Sequence, residues 1–261
     1  MADILGERDS AIPDIKTRVA EPTRESQLPK RFYKTAAVLE EADSFGVALD
    51  KRPVRTPGKA LLASPKKEVA DMLAAEWDAQ GERIDPMTMP VTRLLNTAID
   101  GVATEMQAVQ EDIIRFAGTD LLCYRAEGPD GLVQRQMEQW DPVLDWAQNA
   151  LNARFELAAG VMHHAQPEAT IAAFSTHVGM IDDPAVLAAT HVMTTLTGSA
   201  IIALAALHGA LDLDTSWRLA HLDEDWNIEQ WGEDEEAAAR RAMRFRDMRA
   251  AFDVAQAVQN P

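Results

Sequence analysis

The 261-residue chain contains a single cysteine, Cys123, so it can form no disulfide within itself. That is typical of proteins in a reducing compartment. Apolar residues flank Cys123 and nothing nearby would lower the pKa of its thiol, so we expect a buried structural cysteine. Residues 1–29 lack the apolar stretch of a secretory signal, and carboxylates such as Asp3, Glu7, Asp9 and Asp14 are atypical of a mitochondrial presequence. We therefore expect a bacterial, cytoplasmic protein.

Catalytic and cofactor motifs are scarce. The sequence has no Gly-x-Ser-x-Gly elbow and no phosphate-cradling glycine motif, so it predicts neither a serine hydrolase nor an ATP site. No His-x-x-x-His or Glu-x-x-His pattern occurs, and the adjacent His163 and His164 cannot face the same way on a helix or strand. We expect no metal and no cofactor.

Positive charge is also in short supply. Acidic residues number 42 against 25 basic ones, which gives a net charge of −17. A surface of this charge repels phosphate backbones and anionic lipids, so we expect no nucleic-acid partner. The uncharged run from Pro184 to Leu211 is long enough to raise the question of a membrane span. Its threonines and the Gly198-Ser199 break favour two buried helices, the second capped by Ser199, and we expect no stable membrane insertion.

Hydrophobic patterning predicts an α+β protein with a small N-terminal β-containing lobe followed by a larger all-helical lobe. We expect a flexible arm at residues 1–29, an α/β lobe with a β meander and one helix at 30–90, and a helical domain at 91–261. Short apolar runs separated by turn residues predict the meander. Ser64-Pro65 predicts a capped start for the first helix and Gly81 its end. The remaining helices are predicted at residues 91–99, 105–116, 132–150, 168–178, 184–197, 199–210, 215–225 and 234–258.

Two segments of the helical part are less regular. Pro142 falls inside the predicted helix at 132–150, where its missing N–H predicts a kink or a break. The segment 155–162 fits a loop or a short strand equally well.

The segment from Glu76 to Asp100 has the most unusual composition. Pro86 and Pro90 predict a rigid extended link between two helices. A short link cannot easily bury both methionines between these prolines, so some apolar surface should remain for a partner. The contact candidates in this segment are Trp77, Met87, Met89 and Arg93, although the helical position of Trp77 favours the core.

An acidic segment at residues 223–236 has two interpretations. The plainer one is a solvated helix boundary, since acids are favoured at the start of the last helix by its dipole. The alternative is a protein-binding patch in which carboxylates surround aromatic anchors. Its contact candidates are Trp226, Trp231, Glu233 and Glu236.

Six segments, in order, resemble the α-subunit assembly chaperones of F-type ATP synthase, which include a mitochondrial ATPase assembly factor. The segments are Arg31-Phe32-Tyr33-Lys34, Leu49 to Pro57, Glu76 to Asp100, Asp120 to Arg125, Gln139-Trp140-Asp141-Pro142 and Trp231-Gly232-Glu233. The resemblance spans roughly residues 30–240. It implies a two-lobe protein that binds unassembled α subunit, masks the surface destined for the β subunit, and yields it during assembly without hydrolysing ATP. We expect the free protein to be a monomer.

Two competing functions remain open. A hydrolase or isomerase would use one of the many carboxylates together with His163, His164 or His191 as a base. A deep pocket uniting a histidine and a carboxylate would favour this alternative, whereas a shallow apolar groove between the lobes would disfavour it. A general holdase for exposed hydrophobic chains is the third and weakest option.

Overall fold

The computed structural model describes residues 28–160 and 164–259. Residues 1–27 of the expected arm and the candidate base His163 lie outside these ranges. The chain is α+β, as the sequence predicts: a small antiparallel sheet and one helix come first, and helices follow.

The sheet contains β1 (Ala36–Glu40), β2 (Phe45–Leu49), β3 (Arg52–Pro53) and β4 (Ala63–Ser64). β2 is central: it pairs with β1 along its whole length, and β3 and β4 share its other edge. The turn between β2 and β3 contains two residues of positive φ, Asp50 at 46° and Lys51 at 71°. Two such residues are what a tight hairpin requires.

The first helix, α1, spans Lys67–Asp78, and both of its predicted ends are wrong. Ser64 belongs to β4, so the helix begins later and its first turn has no side-chain cap. At the other end Gly81 does not adopt a positive φ. Arg31 instead donates to the carbonyl oxygens of Asp78, at 2.9 Å, and of Gln80, so these acceptors are satisfied without a glycine cap.

Nine further helices follow in the described residues. They are α2 (Pro90–Asp100), α3 (Met106–Ala117), α4 (Asp130–Leu151), α5 (Glu168–Gly179), α6 (Pro184–Thr197), α7 (Ala200–Leu207), α8 (Leu213–Ala220), α9 (Leu222–Trp231) and α10 (Glu235–Gln259). Short 3₁₀ turns lie at Pro86–Thr88, Val102–Thr104 and Leu121–Cys123. In addition, β5 (Tyr124–Arg125) pairs in parallel with β6 (Ala158–Ala159), so the segment that the sequence left ambiguous contains a short strand.

One helix prediction differs from the structure, one is confirmed and one is narrowed. Of the kink or break predicted at Pro142, the break does not occur, since α4 runs through that residue and its neighbours Trp140 and Val143 are buried. The helix predicted at 215–225 is two helices, α8 and α9, which meet at His221. Ser199 caps α7 as predicted, since its Oγ accepts from the N–H of Ile202 at 3.0 Å.

One continuous core joins the sheet to the helices. Val47 of β2 and Leu73 of α1 belong to the same buried cluster as Trp140 of α4 and Met193 of α6. No helix in the described part of the chain has the length and the apolar composition that crossing a bilayer requires.

Candidate partner-binding surface

The Glu76-Trp77-Asp78 run at the end of α1 has an internal role. The carboxylate of Glu76 accepts from the backbone N–H groups of Val91, at 2.6 Å, and Thr92, at 2.8 Å, and so caps α2. Burial raises the pKa of Glu76, while these two hydrogen bonds act in the opposite direction. The sequence did not predict this cap, because nothing in the residue pattern shows that Glu76 faces the start of a helix fourteen residues later.

Trp77 lies half-buried between the two parts of the molecule. Its indole packs edge-on against Tyr33 at 5.8 Å between ring centroids, and the Tyr33 hydroxyl donates to the Trp77 carbonyl oxygen at 2.5 Å. It contacts both the main core and the smaller cluster under the sheet. The placement agrees with a core role, and most of its surface is unavailable to a partner.

The proline link is partly buried. Met89 is only 2% exposed, so the link buries one of its two methionines, in keeping with the expectation that it cannot easily bury both. A 3₁₀ turn at Pro86–Thr88, held by Asp85 accepting from the Met87 N–H at 3.0 Å, folds the link back and directs Met89 into the core. Met87 is partly exposed. Arg93 of α2 forms an ion pair with Asp247 of α10, at 2.5 Å.

Trp226 and Trp231 of α9 have different environments, although the sequence grouped them in one patch. Trp226 packs against the start of α4: the guanidinium of Arg135 lies 4.8 Å from its ring centroid, and a Cβ added at Gly131 would lie 2.8 Å from its Cη2 atom. Arg135 also donates twice to Glu229, at 2.8 and 2.7 Å. Trp226 therefore holds α9 onto α4.

Trp231, at the end of α9, is 87% exposed, the largest fraction among the exposed large hydrophobic side chains of the described residues. Gly232 follows with a φ of +88° and turns the chain into α10. The next four residues are exposed acids, among them Glu233 and Glu236. We call residues 227–238 the Trp231 corner.

Contacts within α10 and between α10 and α9 hold the Trp231 corner in place. Asp234 caps α10, its Oδ1 accepting from the Ala237 N–H at 2.8 Å. Glu236 pairs with Arg240 one turn later, as the i, i+4 spacing predicts. Arg241 of α10 reaches back to Asp225 of α9 at 2.5 Å. A cavity of about 400 Å³ lies between the two helix ends, next to the exposed indole.

Two other motifs of the resemblance meet inside the protein. Arg125 forms an ion pair with Asp141 at 2.8 Å, and its guanidinium lies over the ring of Trp140. The Trp140 indole donates to the carbonyl oxygen of Leu219 at 2.9 Å. Cys123 is fully buried, and burial raises the pKa of its thiol, which confirms the prediction of a structural cysteine.

One cavity bears on the enzymatic alternative. It has a volume of about 290 Å³, lies between α2, α6 and α10, and is lined mostly by apolar side chains together with Arg93, His191 and Asp247. Its polar groups are engaged: His191 Nε2 lies 2.7 Å from Asp112, and Asp247 is paired with Arg93. Among the described residues no group of three or more His, Cys, Asp or Glu side chains has an arrangement that could hold a metal ion.

Comparison with known proteins gives consistent matches. Residues 30–148 match the model of a family described as ATP12 chaperone protein. A putative chaperone from Agrobacterium tumefaciens, known from a crystal structure, is 56% identical, with 89% of this chain and 87% of that chain covered and a TM-score of 0.85. Atp12 from Paracoccus denitrificans is 39% identical, with 88% and 99% covered and a TM-score of 0.80. Mitochondrial atp12 of Schizosaccharomyces pombe is 26% identical over 220 residues, which cover 80% of this chain and 75% of that protein.

Proposed function

Because the chain belongs to the ATP12 family of chaperones, which act in ATP synthase assembly, we propose that it binds the unassembled α subunit of F-type ATP synthase. In this proposal it masks the surface that the β subunit later covers and releases it as the catalytic head assembles. The ordered motifs in the sequence support the α subunit as the client, since the family they resemble acts on that subunit.

The Trp231 corner is the surface that we assign to the client. A tryptophan exposed to this degree loses the free energy that burial of its indole would give, and tryptophan is among the residues that dominate binding energy when a partner covers them. The surrounding carboxylates, Glu233 and Glu236 included, would steer a client surface that carries basic groups around an apolar centre. Met87 is a secondary candidate at the proline link, whereas Trp77, Met89 and Trp226 act through internal packing and Arg93 is held in its ion pair with Asp247.

Release needs no nucleotide in this mechanism. An isolated subunit exposes apolar interface that aggregates unless it is covered. A chaperone of moderate affinity leaves when the true neighbour competes for the same surface, because mass action favours the tighter complex. We infer that the protein works as a monomer in the bacterial cytoplasm and has no catalytic activity of its own, in keeping with relatives that are named as chaperones.

The direct test measures whether the purified protein keeps the isolated α subunit in solution and retains it in a pull-down. Wild-type protein should do both, and Trp231→Ala should weaken capture at least tenfold because it removes the central anchor. Met180→Ala is the matched control, since Met180 is another exposed apolar residue, at 67%, far along the chain from the corner.

A charge-reversal pair tests the acidic residues separately. Glu233→Lys with Glu236→Lys should weaken capture, whereas Glu40→Lys with Glu41→Lys, two exposed acids where β1 ends, should not. The lost Glu236–Arg240 pair is at the surface and contributes little to folding. Failure of the wild-type protein to bind the α subunit would refute the proposed function, and full capture by Trp231→Ala would refute the assignment of the corner.

The cavity at His191 bears on the enzymatic alternative, because Asp112 engages Nε2 of His191 and a base could act through the other ring nitrogen. In the proposed function His191 takes no part in binding the client. We therefore expect His191→Gln to leave client capture unchanged. The wild-type protein could instead hydrolyse p-nitrophenyl acetate faster than free imidazole does, and the variant could lose this activity. That result would favour the enzymatic alternative.

A further inference from the structure

The charge of the chain is strongly segregated. Residues 30–67 contain nine basic and four acidic residues, a net charge of +5 in a chain whose total is −17. The segment forms the sheet and leads into α1. Solubility does not explain this basic region, because the net negative charge of the whole chain already favours solubility. The region therefore indicates a more specific role, such as binding.

Ion pairing differs between the two parts of the molecule. In the helices most arginines have a carboxylate partner, as Arg93 has in Asp247, Arg135 in Glu229 and Arg241 in Asp225. In the sheet and its turns, five exposed cations have no ion pair within the described residues. They are Lys34, Lys51, Arg52, Arg55 and Lys59, which we call the basic edge.

Backbone geometry fixes the position of the basic edge. Lys51 and Lys59 both occupy turn positions with a φ of 71°, one in the β2–β3 hairpin and one in the turn that follows Arg55. Arg55 donates to the carbonyl oxygen of Lys59 at 2.9 Å, which holds that turn against the strand. From Arg52 to Arg55 the chain covers about 10 Å of extended backbone.

The two carboxylates among these cations already have donors. Asp50 accepts from the N–H groups of Lys34 and Thr35 at 3.1 and 3.0 Å, and these bonds lower its pKa. Asp100 of α2 accepts from the Thr56 hydroxyl at 2.6 Å and the Gly58 N–H at 2.7 Å. The five cations therefore exceed the local acids, and all five residues are exposed.

We propose that the basic edge is a docking site for a short acidic segment of a protein partner. The proposal goes beyond the proposed function: it adds a second surface of opposite sign to the Trp231 corner and does not depend on which subunit is the client. Charge complementarity supports an anionic partner. Because the basic edge is small, it can contact only a short anionic segment. Nucleic acid and membrane surfaces extend past the patch, where the rest of the chain carries −22 and repels them within a Debye length of about 8 Å.

The probe is a fluorescein-labelled octaglutamate peptide, titrated with the full-length protein by fluorescence anisotropy at 50, 150 and 300 mM salt. Wild-type protein should bind it, with affinity falling as salt rises. Lys51→Glu with Arg52→Glu should weaken binding at least tenfold. The matched control is Arg154→Glu with Arg246→Glu, an equal charge change at two exposed arginines outside the sheet, and it should change binding less than twofold.

The same titrations discriminate between partner classes. No binding of the peptide, or equal loss in both variant pairs, would overturn the proposal. Tighter binding of an eight-nucleotide single-stranded DNA, or of vesicles rich in phosphatidylglycerol, would replace the acidic segment with a different partner and also overturn it. Lys51→Gln with Arg52→Gln serves if the reversed variant fails to fold. The α subunit takes no part in the peptide titration. Failure of the peptide to bind would therefore not refute the proposed capture of the α subunit, and failure of capture would not refute the proposed role of the basic edge.

Discussion

At the scale of single residues, the buried carboxylate of Asp120 has a structural role that the motif around it does not reveal. It accepts hydrogen bonds from the Leu122 N–H, the Ser199 hydroxyl and the Ile201 N–H at 3.1, 2.6 and 3.0 Å. It thus joins the turn before β5 to the start of α7. The apolar residues that flank its neighbour Cys123 correctly predicted a buried cysteine. They gave no sign of the role of Asp120, because Ser199 and Ile201 lie about eighty residues away in the chain.

The environment of Asp120 predicts a pH dependence of stability. Burial raises its pKa to about 6, so between about pH 4 and pH 6 the folded chain holds a proton that the unfolded chain has lost. Its stabilising contribution is complete below pH 4 and declines as the pH rises through 6. With Asp120→Asn as the non-titrating reference, the difference in unfolding free energy should be about 1 kcal/mol larger at pH 5 than at pH 7. Urea unfolding at both pH values measures it, and a difference independent of pH would show that Asp120 is ionised in the fold throughout.

At the scale of elements, contacts with the start of α4 set the position of α9, and no signal in the sequence of α9 itself indicates that position. The sequence predicted one helix where α8 and α9 exist, because no glycine or proline marks their junction. The ring of His221 instead packs on Trp217 at 3.8 Å between centroids, and its Nδ1 lies 2.8 Å from the Trp217 carbonyl oxygen, which ends α8. Beyond the junction, Trp226 sets the direction of α9 and therefore the position of Trp231.

Gly131→Ala tests this positioning. The added Cβ would lie 2.8 Å from the Trp226 ring, so the ring must move and α9 must shift away from α4. We expect a loss of about 1–3 kcal/mol in unfolding free energy and faster amide hydrogen exchange confined to α9. Gly179→Ala is the matched control, because a Cβ at the end of α5 has no neighbour within 4 Å, and it should leave both measurements near wild type. Unchanged exchange in α9 of the Gly131 variant would show that Trp226 is not its anchor.

At the scale of the whole molecule, most motifs that carry the family resemblance hold the fold together. Glu76 caps α2, Arg125 joins β5 to α4, and Asp100 fixes the turn at Gly58. Of the contact candidates, Trp231, Glu233 and Glu236 are exposed and Met87 is partly exposed. The periodicity of apolar residues was enough to predict the fold class and the order of the elements. It did not separate binding residues from structural ones, because that depends on contacts between segments distant in the chain.

From the same contacts we expect the described residues up to 90 and those from 91 to 259 to fold as one unit, although the sequence suggested two domains. Pro90 begins α2, the carboxylate that caps it is on α1, and Val69 and Leu73 of α1 lie in the core of the helices. We expect residues 91–259 expressed alone to show no cooperative unfolding, because the cut removes the cap and part of the core. Residues 28–259, the matched control, should unfold in one transition, with circular dichroism and tryptophan fluorescence coincident. A sharp, reversible transition in the shorter fragment would establish the helical part as a separate domain.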